Sequence, residues 1–268
     1  MRAFITGITG TLGTEVTRIL LAENHEVIGY SRDEQKQRVF KYRDKCTMYL
    51  GDVRDKDRLL EASRGADIIF HFAALKCVDS LEENPEESVA TNIIGTQNVL
   101  YAQRINGILK VCFASTDKAV SPINVYGMCK GISEKLVLRN PSNVVCRYGN
   151  VIGSRGSVIP MFEKTLRDDQ LVNITSTEMT RFWIKIEDAA EFVFHSGLTK
   201  CGLQIPFMKA ASVVRVANAV ANKVGVNPYR ILHVGVRPGE KLHERLQQGL
   251  DSFHCDQYTD QELMEMIK

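Results

Sequence analysis

The chain has 268 residues, 44% of them hydrophobic and 25% charged, with a formal net charge of +2. That is the composition of a soluble globular protein with ample core, and so balanced a charge points to neither a nucleic acid nor a membrane partner. Seven cysteines without a Cys-x-x-Cys pair and six histidines without ligand spacing argue against a disulfide framework and against a metal site.

A reducing cytoplasm suits that cysteine usage. No apolar run reaches the length of a membrane span, and Met1 leads directly into a strand pattern, leaving no room for a signal peptide. Ala3-Phe4-Ile5-Thr6 reads as the first strand, followed by Gly7-Ile8-Thr9-Gly10-Thr11-Leu12-Gly13 and a helical run over residues 16–22. Strand, glycine turn and helix together make a seat for a dinucleotide pyrophosphate on backbone N–H groups at a helix N-terminus. Gly7, Thr9, Gly10, Leu12 and Gly13 are the candidate contacts, at Gly-x-x-Gly-x-x-Gly spacing.

The second strand, residues 26–30, ends in Ser31-Arg32, with Asp33 only afterwards and Lys36 nearby. An acid at the strand end would bind the ribose hydroxyls of NAD, whereas an arginine accommodates the 2′-phosphate of NADP. Ser31 and Arg32 therefore favour NADP over NAD. A third strand, Met48-Tyr49-Leu50, runs into Gly51-Asp52-Val53, where Asp52 is placed to accept the adenine amino group. The fourth, residues 67–71, ends in Phe72-Ala73-Ala74-Leu75-Lys76, and the small Ala73 and Ala74 let the backbone approach a cofactor. His71 reads as packing at the strand end. Pro85 starts one long helix through Asn92 to about residue 104, a crossover to the strand at 110–114. This alternation predicts an α/β fold with a doubly wound parallel, Rossmann sheet.

Val111-Cys112-Phe113-Ala114 ends at Ser115-Thr116-Asp117-Lys118, and residues 125–138 carry a helical pattern. Tyr126 and Lys130, four apart, project from one helix face. A phenol with a pKa near ~10 is a poor base at neutral pH, and a lysine cation beside it favours the phenolate. Tyr-x-x-x-Lys alone is a weak pattern. The Ser-Thr that ends the preceding strand and the opening glycine turn give it a catalytic context.

Residues 143–151 form a further strand and its exit loop, after which Gly153, Gly156 and Pro160 loosen the pattern. A helix starts at Ile186-Glu187-Asp188, another spans residues 213–224, and a strand at 231–234 precedes Arg237-Pro238-Gly239-Glu240-Lys241. Arg155, Arg181 and Arg237, in glycine-, proline- or aromatic-flanked stretches, form a candidate clamp for a substrate diphosphate. Residues 1–152 with 186–207 are expected to bind NADP. Residues 153–185 with 208–268 are expected to form a smaller, mixed substrate-binding region.

The chain resembles the extended short-chain dehydrogenase/reductase superfamily and, more narrowly, the C5-inverting UDP-N-acetylglucosamine 4,6-dehydratases of polysaccharide biosynthesis. The matching stretches include ITGITGTLG at 5–13, HFAALK at 71–76, TNIIGTQNV at 91–99, STDKAVSPINVYGMCK at 115–130, RYGNVIGSRGSVIP at 147–160, MTRFWI at 179–184 and RPGEKLHE at 237–244. The resemblance implies that Tyr126, with Lys130, takes the sugar O4 proton while Thr116 hydrogen-bonds O4. Asp117 and Lys118 match the elimination pair, with Lys118 at C5 and Asp117 at O6, or the reverse. It places Val53, Lys76 and Asn92 at the cofactor, and Lys76, Thr116, Asn150, Arg155, Arg181, Arg237 and Glu240 at a UDP-sugar, in a homo-oligomer with no metal. Against the family pattern the chain stops early after the Arg-Pro-Gly-Glu-Lys block, and the second strand and its helix look trimmed. A retaining dehydratase or a 4-epimerase is the alternative, although epimerases of this fold need no acid-base doublet after the Ser/Thr. A non-catalytic NADP-binding sensor would be expected to lack the Tyr and Lys.

Overall fold

The computed structural model describes residues 1–154 and 156–267. Its centre is a seven-stranded parallel sheet. In chain order β1 is Arg2–Thr6, β2 Glu26–Ser31, β3 Thr47–Leu50, β4 Ile68–His71, β5 Lys110–Thr116 and β6 Val144–Tyr148. Seven follows as Asn150–Val151 (β7), then β8 Leu171–Ile174, β9 Thr180–Ile184 and β10 Gly202–Gln204. The last strands are β11 Ala210–Ser212, β12 Arg230–His233, β13 Arg245–Gln247 and β14 Leu250–Asp251. The main sheet runs β10-β6-β5-β4-β1-β2-β3, so the order reverses between β1 and β4. Ligands of open α/β sheets bind at that reversal, beyond the strands' carboxyl ends.

The helices are α1 (Thr11–Ala22), α2 (Glu34–Arg38), α3 (Lys56–Ala62), α4 (Val78–Glu83), α5 (Pro85–Ser88) and α6 (Gly95–Ile105). After them come α7 (Val125–Val137), α8 (Val158–Asp169), α9 (Ile186–Thr199), α10 (Val213–Val224) and α11 (Asp260–Ile267). Strand side chains alternate between faces. Ala3 and Ile5 accordingly join Val16 and Leu20 of α1 and Val193 of α9, whereas Phe4 joins Leu59 of α3 and Val99 of α6. Both faces are covered, which is why these strands read as continuous apolar runs.

A second core lies under α8, α10 and α11, around Phe162, Trp183, Val216, Val220 and Leu263. Strand β9 joins the two, sending Phe182 to the main core and Trp183 to the second. The sequence pattern loosens across 153–184, yet α8 forms there because Pro160 occupies its first turn, where no helical N–H bond is lost. Residues 143–151 divide at Gly149 into β6 of the main sheet and β7, which pairs with β9. The single helix expected from Pro85 to residue 104 is interrupted by a π-helical turn, Val89–Ile94. Among the described residues, no helix is long and apolar enough to cross a membrane, and no group of three His, Cys, Asp or Glu could hold a metal ion.

Asn143, with no exposed surface, clasps three elements behind the site. Its Oδ1 accepts from the Val111 N–H of β5 at 2.8 Å and from Gln103 Nε2 of α6 at 2.7 Å, while its Nδ2 donates to the Val137 carbonyl of α7 at 3.1 Å. Asn143→Ala strands those buried partners and is expected to cost about 3 kcal/mol by urea denaturation, enough to distinguish it from a surface substitution. A loss under about 1 kcal/mol would contradict the clasp.

Candidate active site

The glycine turn is pressed against the exit of β4. Gly7 has φ +72°, and a Cβ there would lie 2.8 Å from the Ala73 nitrogen. Thr6 fixes this approach, its Oγ1 accepting from the N–H groups of Phe72 and Ala73, both at 3.2 Å. Behind it His71 bridges Thr6 Oγ1 and Thr96 Oγ1 at 2.7 and 3.1 Å, and burial pushes its imidazole down to about 3. His71 is thus a neutral strut, as packing at the strand end requires.

Two connected hollows open from this turn. One is lined by Gly7, Gly10, Ser31, Arg32, Asp52, Val53, Ala73 and Ala74. The other, about 650 Å³, is lined by Leu12, Gly13, Lys76, Thr116, Lys118, Tyr126, Lys130 and Asn150. An adenosine end and a nicotinamide end would fit these two, with the pyrophosphate over the Gly7–Gly10 backbone, where a side chain would fill the cradle. Thr9 is buried within the turn. Asp33 caps α2, accepting from the Lys36 N–H at 2.9 Å and pairing with Lys36 Nζ at 2.7 Å. The cation facing the first hollow is Arg32, half-exposed and 3.5 Å from Asp52. Asp52 is engaged by Arg54, which donates from its backbone N at 3.0 Å and from Nη2 at 2.8 Å. Burial opposes ionisation of Asp52, but Arg54 outweighs it and holds the carboxyl below the usual range.

Asn92 is expected at the cofactor, and the structure puts it elsewhere. Its Oδ1 accepts from the Leu75 N–H and its Nδ2 donates to the Leu75 carbonyl, both at 2.9 Å, so it splints the loop that carries Lys76. Asn92 lies within the π turn, where its backbone carbonyl also accepts from Thr96 Oγ1 and Ser133 Oγ at 2.7 and 2.8 Å.

At the end of β5, Thr116 caps a short 3-10 turn, Asp117–Ala119, that packs on α7. Gly127 makes this contact possible, since any Cβ there would collide with the Lys118 carbonyl oxygen. Lys118 faces the cleft, with Nζ 3.0 Å from Asp117 Oδ1, 3.4 Å from Asn150 Oδ1 and 3.5 Å from Glu244 Oε1. Asp117 lies behind it with no exposed surface, accepting from Thr116 Oγ1 at 2.9 Å, and its Oδ2 has no hydrogen-bond partner. Burial and the neighbouring Glu244 push the Asp117 carboxyl up against the pull of Lys118. Burial would lower Lys118, but Asp117 and Glu244 prevail and hold it as an ammonium.

Tyr126 is pushed up to about 12 by burial, opposed by the Lys118 charge and a hydrogen bond with Thr116. The cation acting on the phenol in this arrangement is Lys118, not Lys130. Lys130 instead donates to the Ala114 carbonyl at 2.5 Å and sits 3.8 Å from the centre of the Phe113 ring. Burial brings it down to about 7, against the pull of Glu134.

The three-arginine clamp does not assemble. Arg155 lies outside the described residues. Arg181 is buried and spends its guanidinium on the Thr180 and Leu242 carbonyls at 2.8 and 3.0 Å. Arg237 pairs with Asp79 at 2.6 Å, and Glu240 turns back to the Arg237 N–H at 3.2 Å, so neither reaches the cleft lining. Glu244, by contrast, lies buried against Lys118, 3.5 Å from its Nζ, without having been singled out in the sequence. It closes the Arg-Pro-Gly-Glu-Lys-Leu-His-Glu stretch, but no local pattern sets it apart from Glu240.

A doubly wound sheet with Thr, Tyr and Lys converging beyond β5, above a glycine turn, is the arrangement of a short-chain dehydrogenase/reductase. The family model described as polysaccharide biosynthesis protein matches residues 3–265. An inverting UDP-N-acetylglucosamine 4,6-dehydratase of Campylobacter jejuni is 42% identical over 266 residues, 92% of this chain and 78% of its own. A UDP-glucose 4-epimerase of Rickettsia typhi is 37% identical, over 94% of this chain and 79% of its own. The X-ray structure of Pen from Bacillus thuringiensis matches with a TM-score of 0.94 at 30% identity, covering 99% of this chain and 96% of that one. A dTDP-glucose 4,6-dehydratase from Streptomyces venezuelae, with a TM-score of 0.84 at 21% identity, shares the fold. The chain belongs to the polysaccharide biosynthesis protein family of extended short-chain dehydrogenase/reductases.

Buried Lys130 has a consequence for stability. Its pKa is near 7 when folded and about 10.4 when unfolded. Between those values the unfolded chain holds the extra proton, so stability rises with pH, and the burial penalty is full below pH 7. Lys130→Met should therefore stabilise the protein more at pH 6 than at pH 9, by about 2 kcal/mol in paired urea titrations. An equal effect at the two pH values would contradict a depressed Lys130.

Proposed function

We propose that the protein is an NADP-dependent 4,6-dehydratase of UDP-N-acetylglucosamine that inverts C5, giving a UDP-2-acetamido-2,6-dideoxy-4-keto-hexose for glycan biosynthesis. The observation that carries this is the Asp117-Lys118 ion pair, buried beside Thr116 and Tyr126 at the cleft wall. A 4-epimerase has only C4 to oxidise and reduce, and has no use for a second acid-base pair. In this reading residues 1–152 with 186–207 hold the cofactor, and residues 153–185 with 208–268 hold the nucleotide sugar.

The dinucleotide would rest on Gly7, Gly10 and Gly13, with Arg32 near its 2′-phosphate and Lys130 and Lys76 at the nicotinamide end. When bound, it supplies a hydride acceptor for C4 and a hydride donor for C6. Tyr126 would take the O4 proton as its phenolate, a form that burial disfavours and the Lys118 charge favours, and Thr116 orients O4. The resulting ketone acidifies the C5 proton. One proton is shared by Asp117 and Lys118, resting on Lys118 in the ion pair. Its transfer across the 3.0 Å contact leaves an amine to take the C5 proton and a carboxylic acid to protonate O6. Asp117 has no surface of its own in the cleft and reaches the sugar through the Thr116 hydroxyl, 2.9 Å away. Loss of water from C6 returns the pair to its starting charges; once C6 is reduced, C5 would take a solvent-derived proton on the face opposite Lys118, and Tyr126 would release to solvent the proton it took from O4.

Incubation with UDP-N-acetylglucosamine in D2O should give a 4-keto sugar with solvent deuterium at C5, the L-arabino configuration at early times and no net consumption of cofactor. Lys118→Ala should abolish dehydration and, because it also removes the cation facing Tyr126, slow C4 oxidation without abolishing it, so that NADPH absorbance accumulates slowly in a single turnover without dehydrated product. A product keeping the D-xylo configuration at early times would identify a retaining enzyme, and epimerisation alone would overturn the reading. On the cofactor, NADP(H) should bind more tightly than NAD(H), and Arg32→Ala should narrow the gap by about tenfold, the worth of one charge-assisted contact. Equal affinities in the unaltered protein would reject the NADP assignment.

A further inference from the structure

Glu244 is 2% exposed, in the segment entering β13, and its carboxylate lies between two lysines. Oε1 is 3.5 Å from Lys118 Nζ, and Oε2 is 3.4 Å from Lys241 Nζ without a well-aligned hydrogen bond. Its position is fixed from both sides. The Glu244 N–H donates to Ser252 Oγ at 2.9 Å, and two residues on, the Leu246 carbonyl accepts from Arg147 Nη1 at 2.7 Å. Arg147 is itself locked to Glu134 of α7. Such an anchorage makes the carboxylate a fixed charge and not a mobile surface group.

We propose that Glu244 is a positioning residue for the elimination step, a buried counter-ion that keeps one proton shared between Lys118 and Asp117. The inference rests on the dehydratase reading and adds a third ionisable group to it. The groups facing Glu244 are Lys118 from the 3-10 turn after β5, Lys241 from its own segment and Arg181 from β9; Asp117 is the second carboxylate of the cluster. Tyr126 of α7 faces Lys118 and Asp117 from the far side. Three cations thus face two carboxylates, Lys118 and Lys241 within ion-pair distance and Arg181 bound to backbone carbonyls. Without the Glu244 charge, Lys118 would face Arg181 and Lys241 with Asp117 alone to offset them. Both members of the pair would then release their protons more readily, and Asp117 would resist taking one from Lys118. Elimination would run only at lower pH, where the shared proton is still present. Oxidation at C4 would feel the change only indirectly, through Lys118, which faces both Glu244 and the Tyr126 phenol.

The test uses Glu244→Gln, which keeps the shape and removes the charge. In single turnovers with UDP-N-acetylglucosamine, NADPH absorbance should still appear, slowed less than dehydration. The pH profile of dehydration should move at least about one unit toward acid, as expected for loss of a charge at this range, with about a tenfold slower step on the alkaline side. Glu244→Asp, which retains the charge, should restore the position of the profile. Independently of turnover, the Lys118 Cε resonance in [13C]lysine-labelled protein, assigned with Lys118→Arg, should titrate at lower pH in Glu244→Gln. A slower dehydration with an unmoved profile and an unmoved Lys118 titration would make Glu244 merely structural and overturn the proposal. If the unaltered protein forms no 4-keto product, the dehydratase reading falls, and the Lys118 titration alone decides whether Glu244 governs that proton.

Discussion

Lys118 is an ammonium ion set into the cleft wall with little of its side chain open to water, and the site is built around meeting that demand. An isolated buried cation loses its proton, whereas one held between two carboxylates keeps it. Asp117 and Glu244 supply those charges, one from the middle of the chain and the other from near its C-terminus. The turn after β5 belongs to the dinucleotide-binding sheet, and the segment before β13 lies beyond the second core. Bringing them together requires that the C-terminal part close over the sheet. Arg147 secures this closure by joining Glu134 of α7 to the Leu246 carbonyl, while Ser115 Oγ donates to the same Glu134 at 2.6 Å. The chemistry and the docking of the two cores thus depend on one set of buried charges.

The parallel sheet sets the distances on the cofactor side. Thr6 and His71 tie β1 to β4 at the strand ends, and Asn92 splints the loop after β4. These are neutral hydrogen bonds inside the fold, and they leave the backbone that would meet a pyrophosphate open. Lys130 is the exception. It is carried into the core with a carbonyl and an aromatic face for company, at a cost to stability that a structural helix would have no reason to bear.

What could be read from the sequence divides along physical lines. Buried parallel strands are continuous apolar runs, and β1, β2, β4 and β5 were legible for that reason. The glycine turn and the Tyr126–Lys130 spacing are local, so Gly7, Gly10, Tyr126 and Lys130 reach the hollows where they were expected. Arg181 and Arg237 look alike in sequence because a guanidinium's partners are not written beside it. One is taken up by carbonyls of its own strand and a neighbouring loop, the other by Asp79 on α4. Glu244 is the converse case, since its role exists only once β13 is placed against the turn after β5. Asn92 could be picked out, but its partner, the Leu75 backbone, is 17 residues away and comes to it only in the fold. The helix α8 hid behind Pro160, which reads as a breaker unless its position in the first turn is known.

Gly127 sets a limit on what the site can do mechanically. The first turn of α7 and the turn carrying Asp117 and Lys118 touch backbone to backbone, with no side chain between them to act as a cushion. Tyr126 and Lys118 therefore ride on what is in effect one rigid block. In the proposed reaction a sugar held against that block would have C4 and C5 addressed from fixed points, so oxidation and elimination would follow each other in a single binding pose. The ring has no need to be released, turned or carried to a second station, and a reactive ketone formed at the first step stays beside the groups that consume it.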